Sequence, residues 1–203
     1  MFRSPIYGNS WLLARRPKSR WYHFYVTQAG YVLAGGRSSR MGRDKALLMG
    51  RGVAAVVREA AGSVALVGDP GLYRALGFPV IPDLWPGEGP LGGIITALRH
   101  TNGDSNLIVA CDMPMVSIGF LKELLEDWSG GILVPVGPSG RMEPLCAVYG
   151  RSVLEGLEAA FAGGVRKVTA AFENLPVAPR RVTEPIHFQN VNTPEEWAGY
   201  GAK

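Results

Sequence analysis

Short apolar runs alternate with amphipathic segments along the chain from residue 29 onward. Compact apolar or alternating runs predict strands, at 31–34, 64–68, 80–81, 106–110, 132–136, 143–149 and 187–191. Apolar residues at helical spacing predict helices, at 53–61, 72–76, 91–100, 117–128 and 153–161, with a short basic helix opening at 163–167. Strands that alternate with helices indicate a three-layer α/β/α fold with a mostly parallel sheet.

The first strand ends in a glycine pair that opens a basic stretch. Gly35 and Gly36 are followed by serines, arginines and finally Lys45. Such a loop leaves a sheet with free backbone N–H groups and several cations, so it is suited to binding a polyphosphate. GxGxxG does not fit it. A Walker A loop does not fit either, because Lys45 does not directly follow a glycine and no Ser or Thr comes next.

A carboxylate follows each of two later strands. Asp83 follows the strand end at 80–81, where ligands of open α/β sheets bind, and it can accept hydrogen bonds from ribose hydroxyls or a guanine N–H edge. A turn cap is the alternative for Asp83. Asp112 follows the strand at 106–110, and Mg²⁺ needs only one or two protein carboxylates when phosphates supply other ligands. We predict Asp112 as a magnesium ligand rather than a helix cap, since Ser117 can cap the next helix itself.

Composition limits the class of protein. A chain of 203 residues with 47% hydrophobic residues is expected to form one domain, or one domain with an appendage. No apolar run approaches the roughly 18 residues that a membrane helix needs. The two cysteines lack the spacing of a disulfide framework or a metal site, which predicts buried thiols in a reducing cytosol. These features predict a cytoplasmic protein without a membrane partner.

The net charge of +4 comes from one end of the chain. Residues 1–28 hold five of the 21 basic residues and no acidic residue, which leaves 16 basic against 17 acidic residues elsewhere. The charge therefore does not indicate nucleic-acid binding. A secretory signal is not predicted, because the apolar run at 11–14 is short and two arginines follow it. We predict a basic extension over 1–28, either disordered or an upstream start, with a functional basic arm as the alternative, and a domain over 29–203.

The basic loop resembles a known signature. Residues 33–45 read LAGGRSSRMGRDK, which is similar to the LAGG-x-S-x-R-M-G-x-D-K loop of the molybdenum cofactor guanylyltransferases, within the nucleotidyltransferase superfamily. The segment PDLWPGEGPLGGI at 82–94 and Asn-Val-Asn at 190–192 extend the resemblance over residues 29–200. One departure occurs at 50–52, which runs straight into the next helix where the family usually has a Gly-x-Pro-Leu turn, so a few residues are missing.

This resemblance implies a Rossmann-like nucleotidyltransferase fold and a reaction. GMP would pass from Mg-GTP to molybdopterin, or to molybdenum-molybdopterin, with release of pyrophosphate and formation of the guanine dinucleotide cofactor. Arg40, Lys45 and Asp112 would be catalytic, with the two cations on the β- and γ-phosphates and Mg²⁺ on Asp112. Residues implied in nucleotide binding are Leu33, Ala34, Gly35, Gly36, Lys45, Asp83, Gly92 and Asp112.

Other residues are expected on the acceptor side. The family associates Asn-Val-Asn with pterin binding, and strand alternation puts Asn190 and Asn192 on one side. Glu143 is expected to contact the pterin, with a structural ion pair as the alternative. Arg166 and Lys167 are expected to meet an anionic substrate, with a solvated face as the alternative.

Alternative functions remain open at this stage. A cytidylyltransferase acting on the same pterin, or a sugar-phosphate nucleotidylyltransferase, would have the same fold. A non-catalytic carrier or partner protein would retain the fold without the activity. Cytidyl members of the family tend to carry alanine where Gly35 stands, so Gly35 favours GTP. A pure scaffold needs no metal carboxylate, so four retained residues argue against it: Arg40, Lys45, Asp83 and Asp112. Chaperones of molybdoenzymes are expected as partners from the resemblance alone.

Overall fold

The computed structural model describes residues 27–35 and 45–188. Its strands are Gln28–Leu33 (β1), Ala65–Gly68 (β2), Val80–Pro82 (β3), Ser105–Ala110 (β4), Ile132–Val136 (β5), Cys146–Gly150 (β6) and Val177–Arg181 (β7). Its α-helices are Lys45–Ala61 (α1), Pro70–Tyr73 (α2), Pro90–His100 (α3), Ile118–Asp127 (α4) and Leu154–Ala162 (α5). Short 3₁₀ helices lie at Arg74–Leu76, Arg151–Val153, Val168–Phe172 and Pro185–Phe188. Within the described ranges, no helix combines the length and hydropathy needed to cross a bilayer.

The strands form one sheet in the order β3-β2-β1-β4-β6-β5-β7. β1 pairs in parallel with β2 and β4, and β2 pairs in parallel with β3. β6 runs antiparallel to both β4 and β5, and β7 is parallel to β5. The chain adds β2 and β3 on one side of β1 and then crosses to add β4 on the other side. This reversal creates a switch point between β1 and β4, the place where open α/β sheets bind ligands.

Apolar layers cover both faces of the sheet, because consecutive strand residues point to opposite faces. Val32 and Val109 belong to a core layer that includes α1 and α4. Leu33 and Ile108 belong to the other layer, which includes α3 and α5. Every residue of β4 is buried, as expected for a central strand covered on both sides. The structure therefore confirms the predicted α/β/α fold with a mostly parallel sheet.

Helix α1 is longer than the sequence predicts. It begins at Lys45 rather than at Val53, and it continues through the glycine-containing residues 50–52 that the sequence assigns to a shortened loop. Met49, Val53 and Val57 are buried at four-residue spacing and form one apolar stripe. Burial of this stripe offsets the roughly 1 kcal/mol that each helical glycine costs relative to alanine.

Two strand predictions in the second half are wrong, one in its boundaries and one in the type of element. The strand predicted at 143–149 is formed only by β6, because Pro144 lacks the N–H of a strand ladder and lies in a turn. The described part of the strand predicted at 187–191 is helical instead. His187 and Phe188 both pack against Phe120, whereas an extended strand would point them to opposite sides. Residues 189–191 lie outside the described residues.

The sequence pattern also mispredicts two elements near these strands, a short helix and β7. The short helix predicted to open at 163–167 begins only at Val168, so Arg166 and Lys167 precede it. β7 is not predicted at all. It is an edge strand with Pro179 and two arginines, and its residues are exposed or only half-buried, so it lacks the apolar signal of a central strand.

Candidate functional site

The carboxyl ends of β1, β2 and β4 meet at the switch point. The Ala34 N–H donates to the Val67 carbonyl of β2 at 2.9 Å, and the Cys111 N–H donates to the Leu33 carbonyl of β1 at 3.1 Å. Leu33 and Ala34 are buried, while Gly35 is exposed. The backbone that leads into Gly35 is therefore fixed from both sides, and its exposed end opens at the edge where ligands bind.

Asp83 lies at the same edge, just beyond β3. Its N–H donates to the Gly68 carbonyl at the end of β2, at 3.3 Å. Its Oδ1 accepts hydrogen bonds from the Trp85 N–H at 3.0 Å and from the Thr96 hydroxyl at 3.2 Å. These contacts fix the orientation of the carboxylate of the half-buried Asp83. They engage only Oδ1.

The second oxygen of Asp83 faces Gly35. A Cβ placed on Gly35 would lie 3.8 Å from Oδ2. Among the residues that the structure describes, none donates a hydrogen bond to Oδ2. Oδ2 is therefore an acceptor that a ligand's N–H or O–H could use, next to a backbone position without a side chain.

Thr96 joins the Asp83 loop to α3, and sequence reasoning missed it. The side chain is completely buried. Its hydroxyl accepts from the Leu84 N–H at 3.2 Å, and its single proton has two acceptors in reach, Asp83 Oδ1 at 3.2 Å and the Gly92 carbonyl at 2.9 Å. The available signal was a lone hydroxyl among the apolar residues of α3, which only the fold connects to Asp83.

Asp112 lies in a tight turn beyond β4. The Met113 N–H donates to the Ala110 carbonyl at 3.3 Å, and Met113 itself is 1% exposed, which anchors the turn in the core. Asp112 is half-buried. Because Cys111 bonds to the end of β1, this turn is adjacent to the strand that leads into Gly35.

The donor chemistry at Asp112 fits Mg²⁺. A carboxylate is a hard oxygen ligand, and Mg²⁺ in proteins often has only one or two of them, together with waters and substrate phosphates. Within residues 27–35 and 45–188, no group of three or more His, Cys, Asp and Glu residues is placed to hold a metal.

Glu143 approaches the same edge from the start of β6. The Ala110 N–H of β4 donates to the Leu145 carbonyl at 2.8 Å, so Asp112 and Glu143 each lie two residues beyond this shared pair. The side chain of Glu143 is 14% exposed and lies 3.4 Å from the Arg141 guanidinium. Burial raises the pKa of Glu143, and the charge of Arg141 acts in the opposite direction. Glu143 thus has the ion pair that the sequence left open as an alternative.

Arg166 has close partners in the protein. Its Nε lies 2.7 Å from Glu88 Oε2, and Nη1 donates to the Phe161 carbonyl at 2.8 Å. Its guanidinium also lies 4.0 Å from the Phe161 ring centroid. Lys167 is exposed, and its carbonyl accepts from the Ala170 N–H. An anionic substrate would have to compete with Glu88 for Arg166.

Of the remaining predicted site residues, the structure describes some and leaves others outside the described ranges. Gly92 is buried in α3, where an added Cβ would lie 3.1 Å from the Trp85 Cβ, so its lack of a side chain makes room for Trp85. Lys45 is the first residue of α1. The predicted residues outside the described ranges are Gly36, Arg40, Asn190 and Asn192.

Comparison with known proteins places the chain in a family. A model described as "MobA-like NTP transferase domain" matches residues 30–177. The chain belongs to this MobA-like family, and it is a nucleotidyltransferase. The molybdenum cofactor guanylyltransferase of Xanthomonas euvesicatoria is 36% identical over 181 residues, covering 83% of this chain and 92% of that protein. The probable molybdenum cofactor guanylyltransferase of Pelotomaculum thermopropionicum is 37% identical over 186 residues, covering 82% and 88%.

Solved structures agree with this family. Molybdopterin-guanine dinucleotide biosynthesis protein A from Archaeoglobus fulgidus superposes with a TM-score of 0.71 and 30% identity, covering 84% of this chain and 95% of that one. A 2-C-methyl-D-erythritol 4-phosphate cytidylyltransferase from Thermus thermophilus superposes with a TM-score of 0.64 at 17% identity, which shows the shared fold alone.

This MobA-like sheet brings four predicted positions to one edge. Gly35 and Asp83 face each other, Asp112 follows the strand next to them, and Glu143 lies beyond the last paired residues of β4 and β6. Arg166 instead contacts Glu88, in the loop that carries Asp83. The site thus combines a hydrogen-bond acceptor, two further carboxylates and an exposed backbone segment at one edge of the sheet.

Proposed function

We propose that this enzyme transfers GMP from Mg-GTP to the terminal phosphate of molybdopterin or of molybdenum-molybdopterin, and releases pyrophosphate. The observation that carries the proposal is the pairing of Gly35 with Asp83 Oδ2 at the switch point, in a chain similar to molybdenum cofactor guanylyltransferases. The acceptor is either molybdopterin or molybdenum-molybdopterin, since both present the same phosphate.

Guanine or ribose recognition is assigned to Asp83. Oδ1 is engaged by Trp85 and Thr96, which leaves Oδ2 to accept from the N–H edge of guanine or from a ribose hydroxyl. An alanine methyl at position 35 would be in van der Waals contact with Oδ2 and would cover part of it. This supports GTP over CTP for a chain with glycine at this position.

Phosphate chemistry is assigned to the turn after β4 and to the basic loop. Asp112 would hold Mg²⁺, which when bound draws negative charge from the phosphates. The attacking phosphate is already anionic, so the reaction needs positioning and charge neutralisation rather than a strong general base. Arg40 and Lys45 are proposed to neutralise the β- and γ-phosphates and the departing pyrophosphate. Their side chains lie outside the described structure.

The acceptor side is proposed to involve Glu143, Lys167, Asn190 and Asn192. Glu143 precedes β6, which pairs with the strand that leads to Asp112, so an acceptor phosphate near the metal would bring a pterin toward Glu143. A carboxylate in this position can accept from pterin N–H groups if the pterin displaces Arg141, which is mostly exposed. Arg166 is not included, because it pairs with Glu88.

The test is a calorimetric titration of the purified protein with GTP, CTP and ATP, with and without Mg²⁺. Binding of GTP that depends on Mg²⁺, with much weaker binding of the other two, is the expected result. Preference for CTP would move the enzyme to cytidylyl transfer on the same fold, and preference for another nucleotide would favour a sugar-phosphate acceptor. Absence of binding to all three would overturn the proposal in favour of a non-catalytic partner protein.

A further inference from the structure

Two neighbouring aromatic rings with an arginine at each end form a row that includes one residue of the loop that carries Asp83. The Arg99 guanidinium of α3 lies 4.9 Å from the Trp85 ring, and the Trp85 and Phe161 ring centroids are 5.2 Å apart. The Arg166 guanidinium lies 4.0 Å from the Phe161 ring on the next step. We call these four residues the stacked row. The quadrupoles of the rings attract the cations at the two ends, and the tilted contact between the two rings is also favourable.

Each end of the stacked row has a carboxylate. Glu158 of α5 lies 2.5 Å from Arg99, and Glu88 lies 2.7 Å from Arg166. Trp85 and Glu88 belong to loop 83–89, whereas the other members lie on α3, on α5 or just after it. The loop therefore contacts the helical layer at two points, through the Trp85 ring and through the ion pair between Glu88 and Arg166.

Backbone hydrogen bonds connect these two points to the Asp83 carboxylate. The Trp85 N–H donates to Asp83 Oδ1 at 3.0 Å, and the Glu88 N–H donates to the Trp85 carbonyl at 3.1 Å. The Trp85 Cβ also lies against Gly92, where no side chain is present to displace it. A shift of Trp85 would thus rotate the carboxylate whose Oδ2 faces Gly35.

We propose that Trp85, Glu88 and Arg166 are positioning residues for the nucleotide. They hold loop 83–89 so that Asp83 presents Oδ2 beside Gly35, and they need not touch the nucleotide themselves. The inference rests on the proposed nucleotide role of Asp83. It gives Arg166 a role in nucleotide affinity, in place of the contact with an anionic substrate that the sequence predicts.

The first test compares Glu88→Gln with a matched control, Glu123→Gln. Glu123 lies 2.6 Å from Arg180 and its side chain is 60% exposed, against 2.7 Å and 51% for Glu88, but Glu123 lies on α4 away from the loop. Loss of an exposed ion pair changes an equilibrium by about two- to fivefold. We expect the Kd for Mg-GTP to rise by about that factor in Glu88→Gln only. Equal Kd values in the two variants would overturn the proposal.

The second test changes the Trp85 ring and the Arg166 charge that pairs with Glu88. Trp85→Leu removes both stacking contacts and should raise the Kd about tenfold, whereas Trp85→Phe keeps an aromatic face and should restore most of the affinity. The double variant Glu88→Gln/Arg166→Gln should bind no more weakly than Arg166→Gln alone, because both changes break the same pair. Equal Kd values for the Phe and Leu variants, or full additivity of the two charge changes, would overturn the proposal.

Failure of the two proposals can be told apart. If the wild-type protein binds no nucleotide, the function proposed above fails and the inference fails with it. If the wild-type protein prefers CTP, the same comparisons are made with Mg-CTP, because the stacked row orients Asp83 for either base. If the wild-type protein binds GTP tightly while Glu88→Gln matches its control, only the positioning role is wrong. Thermal unfolding of every variant excludes loss of folded protein as the cause.

Discussion

The contact between Gly35 and Asp83 makes Gly35→Ala the most informative substitution. The added methyl would lie 3.8 Å from Asp83 Oδ2, an ordinary van der Waals distance. Gly35 does not have the positive φ that favours glycine, so alanine fits its backbone without strain. We therefore expect a folded protein in which a methyl group partly covers the oxygen assigned to the nucleotide.

The size of the effect follows from the hydrogen bond that is lost. A hydrogen bond to a charged group contributes about 1.5–3 kcal/mol. Its loss corresponds to about 10- to 100-fold weaker binding of GTP, since 1.4 kcal/mol is a factor of ten. The affinity for CTP should change less, so the ratio of GTP affinity to CTP affinity should fall.

Calorimetric titration with both nucleotides in Mg²⁺ measures this ratio directly. Gly52→Ala is the matched control, because Gly52 is exposed on α1 and an added Cβ there meets no neighbouring atom. That control should gain about 1 kcal/mol of helix stability and keep wild-type affinity. If Gly35→Ala binds GTP within twofold of the wild type, the assignment of Asp83 Oδ2 to the nucleotide is wrong.

Three further predictions concern single side chains. Asp112→Asn should lower the rate of pyrophosphate release by about a hundredfold or more and abolish the Mg²⁺ dependence of GTP binding, since a bound metal stabilises the transition state by several kcal/mol. A wild-type rate in this variant would show that Asp112 does not hold the metal. Thr96→Val should lower the free energy of unfolding by about 1–3 kcal/mol in urea, because the Leu84 N–H loses its acceptor; an unchanged midpoint would contradict this. Burial raises the pKa of Glu143, so the folded state binds its proton more tightly than the unfolded state and stability falls as pH rises from the ordinary value of 4.5 through the raised one. Glu143→Gln should therefore have a higher free energy of unfolding than the wild type at neutral pH but not in acid. If the two free energies of unfolding differ by the same amount at every pH, the pKa of Glu143 is not raised on folding.

Local sequence signals predicted the parts of the fold that local interactions determine. α3 begins at Pro90, one residue before the helix predicted at 91–100, and the Ser117 hydroxyl accepts from the Phe120 N–H at 3.2 Å to cap α4, as predicted. The apolar run of β4 predicted a buried central strand, because covering on both faces requires apolar residues at nearly every position. The order of these elements was enough to place Asp83 and Asp112 after strands.

Contacts between distant segments could not be read in the same way. Arg166 pairs with Glu88, 78 residues away, and no local pattern distinguishes that pairing from a solvated or substrate-binding arginine. Thr96 reads as one hydroxyl in an apolar helix until the fold brings loop 83–89 over it. β7 was missed because an edge strand needs no apolar alternation to be paired by β5.

The parallel pairing of β1 with β4 has a consequence for synthesis of the chain. Thr27 and Asp104, which bond at the start of this pair, are 77 residues apart. At about 5–20 residues per second, a ribosome leaves the apolar β1 without its second neighbour for about 4 to 15 seconds. An open apolar strand edge is a template for aggregation. Substitutions that slow the docking of β4 would therefore reduce the yield of folded enzyme, while the molecules that do fold would keep full activity.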